Sequence, residues 1–132
     1  MFPPELERDA FHATNGELGW SRLQIPAVVE VLRSHGLGIL GGELWWVQEG
    51  SRDWVGLIPQ RDGPPAVYPW ETKREPGESW LDFVDRAAAE TLAAVRRWPA
   101  PGDLPNELGR RILYNLTWTS EEEFDNLRTS VV

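Results

Sequence analysis

The sequence predicts an α+β domain in which an antiparallel sheet of about four strands is crossed by one long helix, in the element order αβββαβα. Residues 79–98 carry an apolar stripe at helical spacing, with capping signals at both ends. Residues 42–73 instead alternate with a period of two and are divided by short turn-rich segments. Because short turns join antiparallel neighbours, we expect a meander packed against the helix.

The N-terminal part is predicted to contain an arm and a helix. Residues 1–20 include two prolines and the turn-prone pair Asn15-Gly16, which is typical of an irregular arm. A helix is expected from Pro26 to His35, because apolar residues recur on one face. Gly36 suits the left-handed position of a Schellman motif after the last turn. The glycine-rich run 36–42 is interpreted as a flexible or bulged approach to the sheet.

Three strands are predicted in the middle of the chain, at about 42–48, 54–60 and 66–73. Pro69 lies in the third of them, which indicates an edge strand or a bulge. Trp45 and Trp46 are adjacent on the first strand and should therefore point to opposite faces of the sheet. Both can be buried only if both faces are covered.

The long helix should begin at Ser79, which has capping-box spacing to Asp82, and should end before Pro99. Asp103 in the following proline-rich loop could cap a short helix, and a strand is favoured from about Ile112.

A final helix is predicted after this strand. Ser120 and Glu123 repeat the capping-box spacing, and Phe124 and Leu127 should face inward.

Composition limits the class of protein. The chain of 132 residues, with 41% hydrophobic and 26% charged residues, suits a single globular domain over residues 1–132. Absence of cysteine excludes disulfides and a Cys nucleophile. No apolar run is long enough to span a membrane, so a cytoplasmic protein is expected. The net charge of −8 opposes binding to nucleic acid.

Catalytic motifs are missing from the sequence. His12 lies in the arm and His35 at a helix end, and neither has a nucleophile beside it. No phosphate-binding glycine loop and no metal-binding spacing is present. We therefore expect no catalytic residue, no metal site and no cofactor. These absences do not decide whether the protein is an enzyme.

One resemblance favours an enzyme. The order αβββαβ, together with Glu71-Thr72-Lys73 on the third predicted strand, resembles the (D/E)xK element of restriction-endonuclease-like nucleases. The resemblance implies that Glu71 binds a divalent metal and that Lys73 assists the attacking water. Asp53 or Asp62 could supply a second carboxylate, and Glu30 a helix acid.

Eight tryptophans favour a binding surface. If the Trp46 face of the sheet is uncovered, it should include Trp54 or Trp70, depending on the strand register. Such an aromatic row could bind a ring, a sugar or a protein. The alternative is that several tryptophans fill the core.

Two groups of carboxylates predict an acidic binding surface. They precede the long helix and open the final one: Glu71, Glu75, Glu78, Glu121, Glu122, Glu123 and Asp125. A surface of this kind attracts basic partners. The leading hypothesis is therefore a non-catalytic protein that binds a basic protein, as small bacterial immunity and inhibitor proteins of similar size and charge do. A small-molecule binder with an aromatic pocket is the second hypothesis, and the nuclease is the third.

Overall fold

The structure is a computed structural model that describes residues 3–99 and 110–130, with side chains described over 3–99 and 111–126. These ranges contain a four-stranded sheet, a two-stranded hairpin and four helices. In chain order the elements are α1 (Glu5–Arg8), β1 (Phe11–His12), β2 (Leu18–Gly19), α2 (Ile25–Ser34), β3 (Gly38–Gln48), β4 (Trp54–Val55), β5 (Pro69–Glu71), α3 (Trp80–Arg97), β6 (Arg110–Thr119) and α4 (Glu121–Ser130).

The sheet is organised around β3, which pairs antiparallel with three other strands. Strand β6 pairs along the full length of β3, from Gly38 opposite Thr119 to Gln48 opposite Arg110. Strands β4 and β5 share the other edge of β3, where β4 pairs with residues 46–47 and β5 with residues 41–43. From α2 onward the predicted order αβββαβα is confirmed, and so is the α+β class.

The predicted meander is wrong in its pairing, because β5 joins β3 instead of β4. Beyond Val55 the chain leaves the edge of β3, and Ile58 forms an isolated bridge with Ala66. This departure frees residues 41–43 of β3 for β5. The third strand is therefore shorter than predicted, and its Pro69 lies on an edge strand as expected.

Strand β3 begins at Gly38, earlier than predicted, with a bulge between Ile39 and Gly41. Glycine is required at position 38 because a Cβ atom there would lie 2.6 Å from Phe83 Cε2. Within the glycine-rich run, Gly38 thus lets Trp80 and Phe83 of α3 pack closely against the backbone of β3. Pairing with β6 extends the run as strand despite its low strand propensity.

The arm predicted as irregular contains a one-turn helix and a hairpin. The turn at Asn15-Gly16 closes the hairpin. Gly16 has a φ of 89°, and the Glu17 N–H donates to Asn15 Oδ1 over 3.0 Å. Strands of two residues leave no periodic pattern, so only the turn could be identified from the sequence.

Helices α2 and α3 cover one face of the sheet. The Schellman motif after α2 is confirmed, since the Leu37 N–H donates to Leu32 O over 3.0 Å and Gly36 has a φ of 69°. In α3 the Ser79 hydroxyl accepts from the Asp82 N–H over 3.1 Å, which confirms the predicted cap.

The C-terminal helix α4 is also confirmed. Its Ser120 cap accepts from the Glu123 N–H over 3.1 Å and donates to the Glu123 carboxylate over 3.0 Å. The Phe124 ring packs against Trp80 and Phe83 of α3. The expectations for Asp103 and for the Leu127 side chain lie outside the described part of the structure.

Candidate functional site

Trp45 and Trp46 point to opposite faces, as predicted, and both are buried. Trp46 belongs to the main core between the sheet and helices α2 and α3, together with Leu44 and Phe83. Trp45 belongs to a second, smaller core on the other face. The predicted aromatic row on an uncovered Trp46 face is therefore wrong, because that face is the one the helices cover.

Trp54 lies on the opposite face from Trp46. It pairs with Val47, and its ring stacks on Trp45 at a centroid distance of 4.6 Å and an interplanar angle of 7°. The N-terminal hairpin covers the same area. Phe11 meets the Trp45 ring edge-on, and a Cβ atom at Gly19 would lie 2.9 Å from it. The arm thus provides the second cover that burial of Trp45 requires.

Trp70 does not join Trp46 and Trp54 in one surface. Its half-buried ring packs against the main core and fills the space beside Gly42, where a Cβ atom would lie 2.6 Å from Trp70 Cζ2. The three tryptophans predicted as one site are therefore divided between two faces. A pocket lined by all three does not form.

A groove remains on the part of the second sheet face that the hairpin leaves uncovered. Strand pairing places Gly41 opposite Thr117, and Glu43 opposite both Asn115 and Pro69, on this face. One hollow of about 540 Å³ lies here, and an adjoining hollow of about 270 Å³ shares Asn115 and Thr117 with it. We call the two together the sheet-face groove. Its lining also includes Glu17, Leu18, Trp70 and Glu71.

The two predicted groups of carboxylates meet in space around Arg74. Arg74 Nη2 lies 3.9 Å from Glu121 Oε2, and Arg74 Nη1 lies 3.9 Å from Asp125 Oδ1. Groups far apart in sequence therefore form one acidic surface, defined by residues 71–78 and the first turn of α4. A hollow of about 650 Å³ separates them, lined by Arg74, Glu75, Pro76, Gly77, Glu78 and Phe124.

Arg74 is the partly buried counter-charge of this surface. Its side chain is only 17% exposed and lies between two rings, with the guanidinium carbon 5.3 Å from the centroid of Trp80 and 5.7 Å from that of Phe124. Its Nε–H donates to the Glu78 carbonyl over 3.2 Å. The residue thus joins the segment 71–78 to α4.

Glu78 is held by Arg86. The guanidinium donates to both carboxylate oxygens, over 2.8 and 2.9 Å, and also to Glu90 Oε2 over 3.1 Å. This bidentate contact, helped by the Glu75 N–H, lowers the pKa of Glu78 from 4.5 to about 2. Glu78 therefore orders the segment before α3. Its negative charge is neutralised mainly by Arg86 within the molecule.

The other predicted acidic residues differ in their surroundings. Glu123 is occupied by the cap of α4, and Glu71 has Lys73 Nζ 3.9 Å from its carboxylate. Glu75 and Glu122 are exposed. The carboxylates most available to a partner are therefore Glu75 and Glu122.

The residues of the predicted nuclease site are not assembled. Glu71 pairs with position 41 of β3, whereas Asp53 precedes Trp54, which pairs with position 47. At about 3.3 Å per residue these positions are about 20 Å apart. Glu30 lies on α2 and forms an ion pair of 2.6 Å with Arg33.

Asp62 lies in an exposed loop. Over residues 3–99 and 110–130, no group of three or more His, Cys, Asp or Glu side chains is arranged to hold a metal ion.

Sequence reasoning missed the arginines of the acidic surface and the polar lining of the sheet-face groove. The spacing of Arg86 and Glu90 could have indicated an ion pair within α3. Nothing in the sequence placed Arg74 between α3 and α4, because its partners on α4, Glu121 and Asp125, are about 50 residues away along the chain. Asn115 and Thr117 could be assigned to a face only once the register with β3 was known.

No protein-family model, no curated protein and no solved structure matches this chain. Among the described helices, none is long and apolar enough to cross a membrane.

Proposed function

We propose that this protein is a non-catalytic binding domain that holds a basic protein through its acidic surface. The observation that carries the proposal is the convergence of two carboxylate groups, from residues 71–78 and from α4, around the partly buried cation Arg74. Carboxylates outnumber cations there, so a negative potential extends into solvent. A cationic partner would be attracted from a distance and oriented by this potential.

The surroundings of the acidic residues support the proposal further. Stability alone accounts for Glu78, which pairs with Arg86, and for Glu123, which caps α4. Glu122 also gains stability from the helix dipole, because it lies in the first turn of α4, and the exposed Glu75 is attracted to Arg86. Carboxylates from both segments are nevertheless crowded on one exposed surface, where like charges repel one another, so a binding role would explain why they converge.

Recovery of a partner is the first step of the test. The wild-type protein, a Glu75→Lys/Glu122→Lys variant and a Glu49→Lys control serve as baits for affinity purification. Glu49 follows the far end of β3 and is exposed, so its reversal changes the net charge without touching the acidic surface. A genuine partner is basic, is recovered by the wild type and the control, and is lost with the double variant.

Association kinetics are the decisive step. Raising the ionic strength from about 0.01 M to about 0.15 M shortens the Debye length from about 30 Å to about 8 Å. The association rate of the recovered partner should then fall at least about tenfold, with a smaller change in the dissociation rate. A rate that is indifferent both to salt and to the double charge reversal refutes the proposed function.

A further inference from the structure

The sheet-face groove adjoins the acidic surface and shares Glu71 with it, but it has its own shape and chemistry. We propose that it receives an arginine or lysine side chain, carried by an extended segment of the basic partner. This inference rests on the proposed function and names the chemical group that would be recognised. The acidic surface would attract the partner, and the groove would fix its register.

The shape of the groove suits a side chain with part of its backbone. Its floor is β3 at positions 41–43 and β6 at positions 115–117, and its walls are the hairpin and β5. Gly41 carries no side chain, so the groove reaches the backbone of β3 at this position. The larger hollow, of about 540 Å³, falls within the range of about 300–1,000 Å³ that is typical of ligand sites.

The charge of the groove selects a cation. Its lining contains three carboxylates, from Glu17, Glu43 and Glu71, and no arginine, lysine or histidine. Lys73 lies 3.9 Å from Glu71 but is 81% exposed, so it extends mainly into solvent. A guanidinium, with five N–H donors and no acceptor, complements such an acceptor-rich lining.

Two of the acceptors are held in place by hydrogen bonds beneath the groove. Glu43 Oε1 accepts from Trp45 Nε1–H over 3.0 Å, and Asn115 Nδ2–H donates to Leu18 O over 2.9 Å. The second bond turns the Asn115 Oδ1 acceptor away from Leu18. Side chains fixed before binding lose less conformational entropy when a ligand arrives, so this arrangement favours affinity.

The groove and the acidic surface adjoin at one end of the sheet. From Glu71 in the groove wall, the chain continues directly into the segment 71–78, and from Thr117 in the floor, β6 continues to Ser120 and α4. Because the groove lies on the sheet face opposite α3 and Arg74 packs against Trp80 of α3, a basic segment that contacts both passes around this end of the sheet.

An NMR titration tests the proposal directly. The ¹⁵N-labelled protein is titrated with hexa-arginine peptide, and with hexaglutamate as the control of opposite charge. We expect hexa-arginine alone to shift the indole N–H of Trp45 and the amides of Gly42 and Thr117. The Trp45 indole is informative because its hydrogen-bond acceptor, Glu43, belongs to the groove.

Variants make the test quantitative. Glu43→Gln removes a charge but keeps an acceptor for Trp45, and should weaken hexa-arginine binding about tenfold, equivalent to about 1.4 kcal/mol. Thr117→Arg places a cation in the groove from an exposed position and should abolish the groove shifts. Glu49→Gln is the matched control and should leave both unchanged.

Other outcomes overturn the proposal. Shifts confined to residues 75–78 and 121–125 would show that arginine binds the acidic surface alone, which removes the groove but leaves the proposed function. Binding that Glu43→Gln and Glu49→Gln weaken equally would show a general charge effect and also removes the groove. An absence of any shift with hexa-arginine refutes arginine recognition, while the kinetics of the recovered partner judge the proposed function separately.

Discussion

Replacement of Arg74 by methionine tests whether one partly buried cation holds the acidic surface together. Methionine keeps an unbranched apolar side chain against Trp80 and Phe124, so the change removes mainly charge and hydrogen bonding. Each cation–π contact contributes about 0.5–1 kcal/mol, and the bond from Nε–H to the Glu78 carbonyl about 1.5 kcal/mol or somewhat more. The two ion pairs, at 3.9 Å each, add a few tenths of a kcal/mol.

These contributions share one side chain and are not additive, so we expect Arg74→Met to lower the free energy of unfolding by about 2–3 kcal/mol. The loss should be larger at low ionic strength, because the carboxylates of Glu121 and Asp125 then repel the rest of the surface without compensation. With an m-value of about 2 kcal/mol/M, the urea midpoint should fall by about 1 M or slightly more.

The adjacent Lys73 provides a matched control of the same charge. Its side chain is 81% exposed and lies 3.9 Å from one carboxylate oxygen of Glu71. Lys73→Met should therefore change the free energy of unfolding by no more than about 0.5 kcal/mol. Equal urea midpoints for the Arg74 and Lys73 variants would refute the role assigned to Arg74.

Three further predictions concern single contacts. The Glu78 carboxyl should titrate near its lowered pKa of about 2. Its contribution to the free energy of unfolding is therefore complete above about pH 4.5 and is lost as the pH falls through about 2. In Arg86→Met, ¹³C NMR of the carboxyl carbon should show the pKa of Glu78 returning toward 4.5. Gly19→Ala places a Cβ atom 2.9 Å from the Trp45 ring and should lower the free energy of unfolding by about 1–3 kcal/mol in urea denaturation. Thr91 is 0% exposed, and its hydroxyl has no hydrogen-bond partner in the described part of the chain. Because Thr91→Val removes this unpaired buried hydroxyl, it should raise the melting temperature and increase the free energy of unfolding by about 1 kcal/mol.

Each of these three predictions can be contradicted by a specific measurement. A Glu78 pKa that stays near 2 in Arg86→Met would contradict the assigned cause. Gly56→Ala, whose new Cβ atom lies no closer than 3.4 Å to Trp54, should be nearly neutral, and a cost equal to that of Gly19→Ala would rule out the steric argument. Thr119→Val removes a hydroxyl that donates to Ser120 O over 3.1 Å, so it should destabilise the protein, and a similar gain in both threonine variants would contradict the reasoning for Thr91.

The candidate site could be predicted only in part. The two groups of acidic residues were visible as a charge pattern, since their members are close together in sequence. Whether the groups meet was not visible, because the contact of Arg74 with α4 depends on how β6 returns to β3. The sheet-face groove was missed for the same reason, as its floor combines positions 41–43 with positions 115–117.

Features that depend on interactions within a few residues could be predicted from the amino-acid sequence alone. These are the α+β class, the extent of α3 between Ser79 and Trp98, the caps at Ser79 and Ser120, and the Schellman motif at Gly36. Helical periodicity and capping are local, because each hydrogen bond joins residues three to five positions apart.

Which face of the sheet each tryptophan occupies depends on contacts between residues that are distant along the chain. Trp45 and Trp46 were certain to point in opposite directions, but both faces could have been the covered one. Phe11, which packs over Trp45, and helix α3, which covers Trp46, are more than 30 residues away from these tryptophans along the chain. Burial on a sheet depends on such distant partners, so aromatic residues that resembled a binding surface in the sequence became two separate cores.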